Sequence, residues 1–160
     1  MTAQPVEERA PEVWGALSVF AYVPSVPGPA LRVLLFLLGV QEPGGRIVIK
    51  QADIAQALGM KRSAVGLSLQ HLQFARMVTK VQSGVYELHP QIAGFTTPAE
   101  QAQAVASLPR EDCLDVDDFE ERYQQAVEVH RQELQRKAQE RLQGPKPPAD
   151  LAAHRRRRAR

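Results

Sequence analysis

The sequence predicts a mainly α-helical fold with a small β-hairpin and a long C-terminal helix, and three observations carry that expectation. Apolar residues recur at three- and four-residue steps through most of the chain. Two such stretches are separated by a tight turn at Gly59. The β-branched runs are short and bounded by glycine or proline. Hydrophobic residues make up 44% and charged residues 24% of the 160, as in globular proteins. Aromatics supply only 6%, so the expected core is aliphatic.

Residues 1–12 are polar, contain two prolines and have no apolar period, so they are expected to be disordered. Val13, Trp14, Leu17, Phe20 and Ala21 fall at helical spacing and predict a short helix over 13–23, broken by Pro24, Pro27 and Pro29. Leu31 to Val40 is apolar almost all round, as a buried helix is. A Glu-Pro-Gly-Gly turn at 42–45 leads into RIVIK at 46–50, a short strand. Gln51 to Leu58 reads as a third helix, stopped by Gly59, and Arg62 to about Met77 as a fourth. Val78–Val81 and Val85–His89 form a hairpin around Gln82, Ser83 and Gly84, with Gly84 supplying the positive φ of the turn and Pro90 ending the second strand. Residues 96–114 read as a linker holding a short helix over Ala99–Leu108. Asp115 to Gln143 reads as one long helix, ended by Gly144, Pro145, Pro147 and Pro148. Residues 144–160 read as a disordered basic tail.

The stretch from Gln51 to Leu72 carries the chemistry. Ile54, Leu58, Val65, Leu69 and Leu72 supply apolar contacts between two helices, small Ala55 lets them approach, Gly59 makes the turn and Met60 plugs beneath it. This is a helix-turn-helix pattern. With a strand before it and a hairpin after it, the order predicts a winged helix-turn-helix over 13–95, a mainly α fold with a small β-hairpin wing. The second helix is then expected in the major groove of double-stranded DNA, presenting Lys61, Arg62, Ser63, Gly66, Leu67 and Gln70. Arg62 can donate a pair of hydrogen bonds to guanine or grip a phosphate, Gln70 can pair with adenine, and Ser63 with the free N–H groups at the helix start suits a phosphate oxygen. Leu67 belongs either to a core edge or to the DNA face, where it can meet a thymine methyl. Lys80, Gln82 and Ser83 lie at the wing tip, in place for a second contact.

The net charge of +2 conceals three blocks: residues 1–97 carry +2, residues 98–143 carry −5 and residues 144–160 carry +5. Arg155, Arg156, Arg157 and Arg158 read as a phosphate-binding tail whose contribution is salt-sensitive and sequence-independent. On the long helix, Asp115, Asp117 and Asp118 suit the positive end of the dipole. Val116, Phe119, Tyr123, Val127, His130, Leu134 and Leu142 make an apolar stripe. At ~1.5 Å per residue this helix exceeds what so small a domain covers, so Phe119, Tyr123, Val127 and Leu134 are expected to form a homodimer seam. The alternative for this helix is packing back on its own domain; the alternative for the chain is an assembly module, with the winged helix as scaffold and the long helix as partner surface.

Enzymatic chemistry is not expected. The four histidines, His71, His89, His130 and His154, make no metal-ligand pair, Gly44-Gly45 lacks the lysine and hydroxyl residue of a phosphate loop, and Cys113 stands alone. No cofactor or metal is expected. One cysteine allows no internal disulfide, which suits the cytoplasm. The most apolar run, Val33–Val40, is well short of the roughly 18 residues of a membrane span.

RVLLFLL, RIVIKQADIAQALGMKRSAVGLSLQHL and GVYELHP, in that order over residues 30–95, resemble the winged-helix core of the RepL family of plasmid replication proteins and, more loosely, MarR-type regulators. The resemblance implies a DNA-binding protein acting at a plasmid origin or a promoter, without a cofactor. The chain has His89-Pro90 where the replication family usually has Asn-Pro.

Overall fold

The computed structural model of the chain describes residues 13–15 and 17–143. The predicted disordered N-terminus and the basic tail lie outside the described residues. Among the described residues, five α-helices and one three-stranded antiparallel sheet follow one another as α1 (Gly28–Val40), β1 (Arg46–Val48), α2 (Gln51–Leu58), α3 (Arg62–Phe74), β2 (Val78–Gln82), β3 (Val85–Leu88), α4 (Pro98–Ala106) and α5 (Phe119–Gln143). They divide into two compact units after Gln124.

The first unit is built around α1. Pro29 stands in its first turn, where a missing N–H costs nothing, and Ala30, Val33, Leu34 and Leu37 bury one face at i, i+3, i+4, i+7. The helix ends at Gln41, whose buried amide donates to the Leu38 carbonyl at 2.9 Å and accepts the Gly94 N–H at 2.6 Å. That side chain ties the end of α1 to the segment after β3. The turn that follows requires glycine at 45: φ is +86°, and a Cβ there would lie 2.6 Å from that of Ala93.

The sheet runs β1–β3–β2, with Ile47 opposite Tyr86 and Val78 opposite Leu88. These four side chains are buried. The β2–β3 register shifts between Lys80 and Gln82, leaving Val81 as an irregularity near the turn.

α2 and α3 follow local rules. Gly59 adopts φ 62°, ψ 35° just past α2. The Met60 N–H returns to the Ala55 carbonyl at 2.9 Å and the Gly59 N–H to Gln56, a Schellman closure. Ile54 and Ala55 of α2 and Val65, Ser68, Leu69 and Leu72 of α3 are buried. The Ser68 hydroxyl is satisfied by the Ala64 carbonyl at 2.8 Å. α3 stops at Phe74, short of the expected Met77. Arg76 takes the left-handed position at φ 55°, and the Met77 N–H bonds back to Leu72. No glycine announces this end.

Three further expectations are corrected. Residues 13–23 are not one helix: Trp14 exchanges two backbone hydrogen bonds of 2.8 Å with Phe95, which needs extended backbone, and only Leu17–Tyr22 turns, as a 3-10 helix. Residues 96–114 hold the short helix expected over Ala99–Leu108, as α4 at Pro98–Ala106, but the rest is not a bare linker. A capping box between Thr97 and Glu100 starts α4, a 3-10 turn follows at Arg110–Asp112, and Cys113 and Leu114 are buried. The long helix begins at Phe119 and not at Asp115. Gln91 holds the preceding backbone by accepting the Leu114 N–H and donating to the Asp115 carboxylate at 2.8 Å, so this stretch is pinned outside any helix.

The second unit, from Gln125, is the continuation of α5. Local ion pairs join Glu128 to Arg131 at 2.7 Å and Arg136 to Glu140 at 3.8 Å along it. Exposed pairs of this kind contribute only tenths of a kcal/mol (~0.2–0.5 each) to helix stability.

Candidate nucleic-acid interface

α3 is buried along Val65, Ser68, Leu69 and Leu72. At ~100° per residue the opposite ridge carries Ser63, Leu67 and Gln70. Ser63 is exposed, Leu67 is 57% exposed and Gln70 is half-buried. Leu67 is therefore not a core residue. Gly66 is the exception among the expected outward residues. It lies on a flank of α3 beside α2, half-buried, and a Cβ there would meet Gln51 Oε1 at 3.6 Å, an ordinary contact. Nothing in the packing demands glycine at 66.

The N-terminus of α3 is uncapped by any side chain and positively charged. Lys61 occupies the N-cap with extended backbone and no side-chain cap, and Lys61, Arg62 and Ser63 are all exposed. A serine or aspartate cap would satisfy the first-turn N–H groups itself. A lysine leaves them free and adds positive charge where the helix dipole is already positive. α2 repeats the arrangement, with exposed Lys50 at its N-cap and no side-chain cap. Lys50 was not among the residues expected from sequence, although the strand-to-helix boundary at 50–51 marks it. α3 contains no carboxylate at all.

The hairpin is fixed to the start of α2. Gly84, at φ +76°, accepts the Ile49 N–H at 2.9 Å, and an added Cβ would lie 3.5 Å from the Ile49 carbonyl. Gln51 donates to the Tyr86 hydroxyl at 3.3 Å, and Tyr86 is fully buried. Lys80, Gln82 and Ser83 are exposed, as expected of the hairpin tip. Exposed carboxylates on these elements are Asp53 of α2 and Glu87, which stands opposite Arg46 in the sheet.

The other flank of α3 is braced by residues 110–123. His71 Nδ1 lies 2.9 Å from the Tyr123 hydroxyl. Arg76 donates to the Glu111 carbonyl at 2.9 Å and pairs with Asp112 at 2.6 Å, while Arg122 donates to the same Glu111 carbonyl at 2.8 Å. The His89 ring is half-buried. The Gln91 N–H donates to its Nδ1 at 3.2 Å, so Nε2 carries the proton and donates to the Asp112 carbonyl at 2.9 Å. Burial holds the His89 pKa below its ordinary value, more strongly than the Asp112 contact raises it. Burial raises the Tyr123 hydroxyl, with the Glu120 charge adding to it. The Gln124 amide and the Ser25 N–H, at 2.8 and 2.7 Å, lower Glu120.

The expected dimer seam is corrected by the same contacts. Phe119 and Tyr123 are each only 3% exposed within the first unit, so they are core residues and not a seam. Of the four, Leu134 is exposed and Val127 half-buried. Arg155–Arg158 lie outside the described residues. Among the described residues, no group of three or more histidine, cysteine or acidic side chains is placed to hold a metal ion, and no helix is long and apolar enough to cross a membrane. Comparison of the chain with family models, with curated proteins and with solved structures gives no match.

Proposed function

We propose that this chain binds double-stranded DNA as a winged helix, with α3 in the major groove and the β2–β3 hairpin as the wing. The observation that carries the reading is the outer ridge of α3. It is free of carboxylates, adjoins an uncapped helix start where Lys61, Arg62 and Ser63 are exposed, and shares its domain with exposed Lys50 and Lys80. Such a surface suits a polyanion whose bases are read beyond the phosphates. The element order α1–β1–α2–α3–β2–β3, with β1 paired to β3, supports the winged-helix reading. The resemblance to the RepL family makes initiation of plasmid replication or regulation of transcription the role of choice.

Selection of bound duplexes from a random pool tests the proposal. An enriched sequence with a steep salt dependence of affinity supports it, and an inverted repeat would also report a symmetric homodimer. Arg62→Ala is expected to relax the preference at one base pair by about 1–3 kcal/mol. Equal weakening on every duplex would make Arg62 a phosphate contact instead. Absence of any enrichment overturns the proposal.

A second reading rests on a different observation. Val129, Leu134 and Leu142 are 52%, 54% and 87% exposed on the otherwise charged part of α5 beyond Gln124. An assembly module would use that surface. It predicts that Leu134→Asp abolishes self-association in sedimentation experiments while Arg62→Ala leaves function intact.

A further inference from the structure

We infer that Leu67 determines the sequence specificity of α3 by taking the C5 methyl group of a thymine in the major groove. The inference rests on the duplex-DNA reading above and names what that site recognises.

Leu67 is the apolar member of the outer ridge. It stands four residues after Ser63 and three before Gln70, and it is 57% exposed while Val65, Leu69 and Leu72 on the opposite face are at most 1% exposed. The core therefore does not use it. At ~1.5 Å per residue, it lies about 6 Å along the helix from Ser63. With Ser63 and the first-turn N–H groups on a phosphate, Leu67 comes over the base edges, not the backbone.

The chemistry of the face selects the base. In the major groove, guanine offers two acceptors, adenine an acceptor and a donor, cytosine a donor, and thymine an acceptor beside a methyl group. An aliphatic side chain gains nothing from the first three and buries apolar surface against the fourth. Thymine and 5-methylcytosine share the methyl group. They differ in the neighbouring exocyclic atom, an oxygen acceptor in thymine and an amine donor in methylcytosine. Ser63 and Gln70, the neighbours of Leu67 on the ridge, can each donate or accept, while the Lys61 ammonium and the Arg62 guanidinium at the helix start can only donate. The excess of donors favours the thymine oxygen over the methylcytosine amine.

The test uses the full chain and a duplex selected by it from a random pool. Each thymine is replaced in turn by uracil, which removes only the methyl group. At one position the wild-type protein is expected to lose about fourfold in affinity, the equivalent of ~0.8 kcal/mol for one CH2-sized group. Leu67→Ala is expected to bind the thymine and uracil duplexes alike, and Leu67→Met to keep the discrimination. Both substitutions lie on an exposed ridge and leave the fold intact. If uracil is neutral at every position, or Leu67→Ala still distinguishes the two bases, the inference falls while the DNA reading stands. If a 5-methylcytosine·guanine pair at that position binds as tightly as thymine·adenine, the methyl group alone is read and the assignment to thymine is overturned. If no duplex is enriched, the DNA reading fails and this inference with it.

Discussion

Two glycines that bound or interrupt the central helices make opposite predictions under the same substitution. Gly66 lies inside α3 with ordinary helical backbone, and an added methyl group meets Gln51 Oε1 at 3.6 Å without a clash. Gly66→Ala therefore removes unfolded-state entropy and improves helix propensity, and it is expected to stabilise the domain by about 0.4–1 kcal/mol. Gly59 has open space around its Cβ position, but its φ is +62°. Gly59→Ala puts an L side chain in the left-handed region and is expected to destabilise by about 1–2 kcal/mol. The two variants should thus differ by roughly 2 kcal/mol, or about 5–10 °C in Tm for a domain of this size. Urea unfolding followed by circular dichroism gives both values, and unchanged m-values keep the comparison two-state. A destabilising Gly66→Ala would mean that α3 is packed at 66 more tightly than the 3.6 Å contact indicates. A neutral Gly59→Ala would mean that the turn between α2 and α3 does not depend on the left-handed residue.

Leu114, 1% exposed, lies in the stretch the sequence presented as linker. Leu114→Ala is expected to cost about 2–5 kcal/mol, as for a core leucine. A loss under 0.5 kcal/mol in chemical denaturation would return residues 110–114 to the status of a tether. Tyr123→Phe keeps the ring packing and removes the hydroxyl that meets His71, so a loss of about 0.5–1.5 kcal/mol is expected. Sedimentation of Tyr123→Phe should show no change in self-association, because the ring is in the core of the first unit. His89 is held neutral by burial, with its folded pKa below the ordinary 6.5. The unfolded chain therefore takes up the proton first as pH falls. The stabilisation is complete above pH 6.5 and declines as pH drops from there through the folded value. Stability measured across this range should slope less in His89→Gln than in the wild type. Glu120, also lowered, contributes stability above its ordinary value of 4.5 and loses it as pH falls from there through the folded value.

The expected site residues divide by how local their determinants are. Ser63 and Leu67 lie on the exposed side of α3 because three- and four-residue spacing alone puts Val65, Leu69 and Leu72 on the other, whereas Arg62 shares the helical line of Val65 and Leu69 and is exposed because it stands in the first turn. Gln70 and Gly66 follow the same spacing, yet the flank on which each sits decides its burial. That depends on α2, which brings Gln51 against Gly66. The expectation of a seam at Phe119 and Tyr123 fails for a related reason. These two residues have the spacing of an exposed stripe as readily as of a core stripe, and tertiary packing, with His71 reaching the Tyr123 hydroxyl from 52 residues earlier, distinguishes the two.

What the sequence determined by itself is the part written in backbone preferences a few residues long. The span of α2 from Gln51 to Leu58, its left-handed stop at Gly59, the start of α3 at Arg62 and the hairpin turned at Gly84 are all of this kind. Each depends on hydrogen bonds between near neighbours and on the φ angles glycine tolerates. Tertiary structure alone decided the Trp14–Phe95 pairing, the left-handed Arg76, the late start of α5 and the burial of Leu114. These are fixed by Gln41 bonding across 53 residues, Gln91 across 23–24 and Arg76 across 35–36. Side-chain amides and guanidinium groups of this sort leave no period in a sequence. Their partners are brought within reach only after the apolar faces of α1, α3 and the sheet have come together.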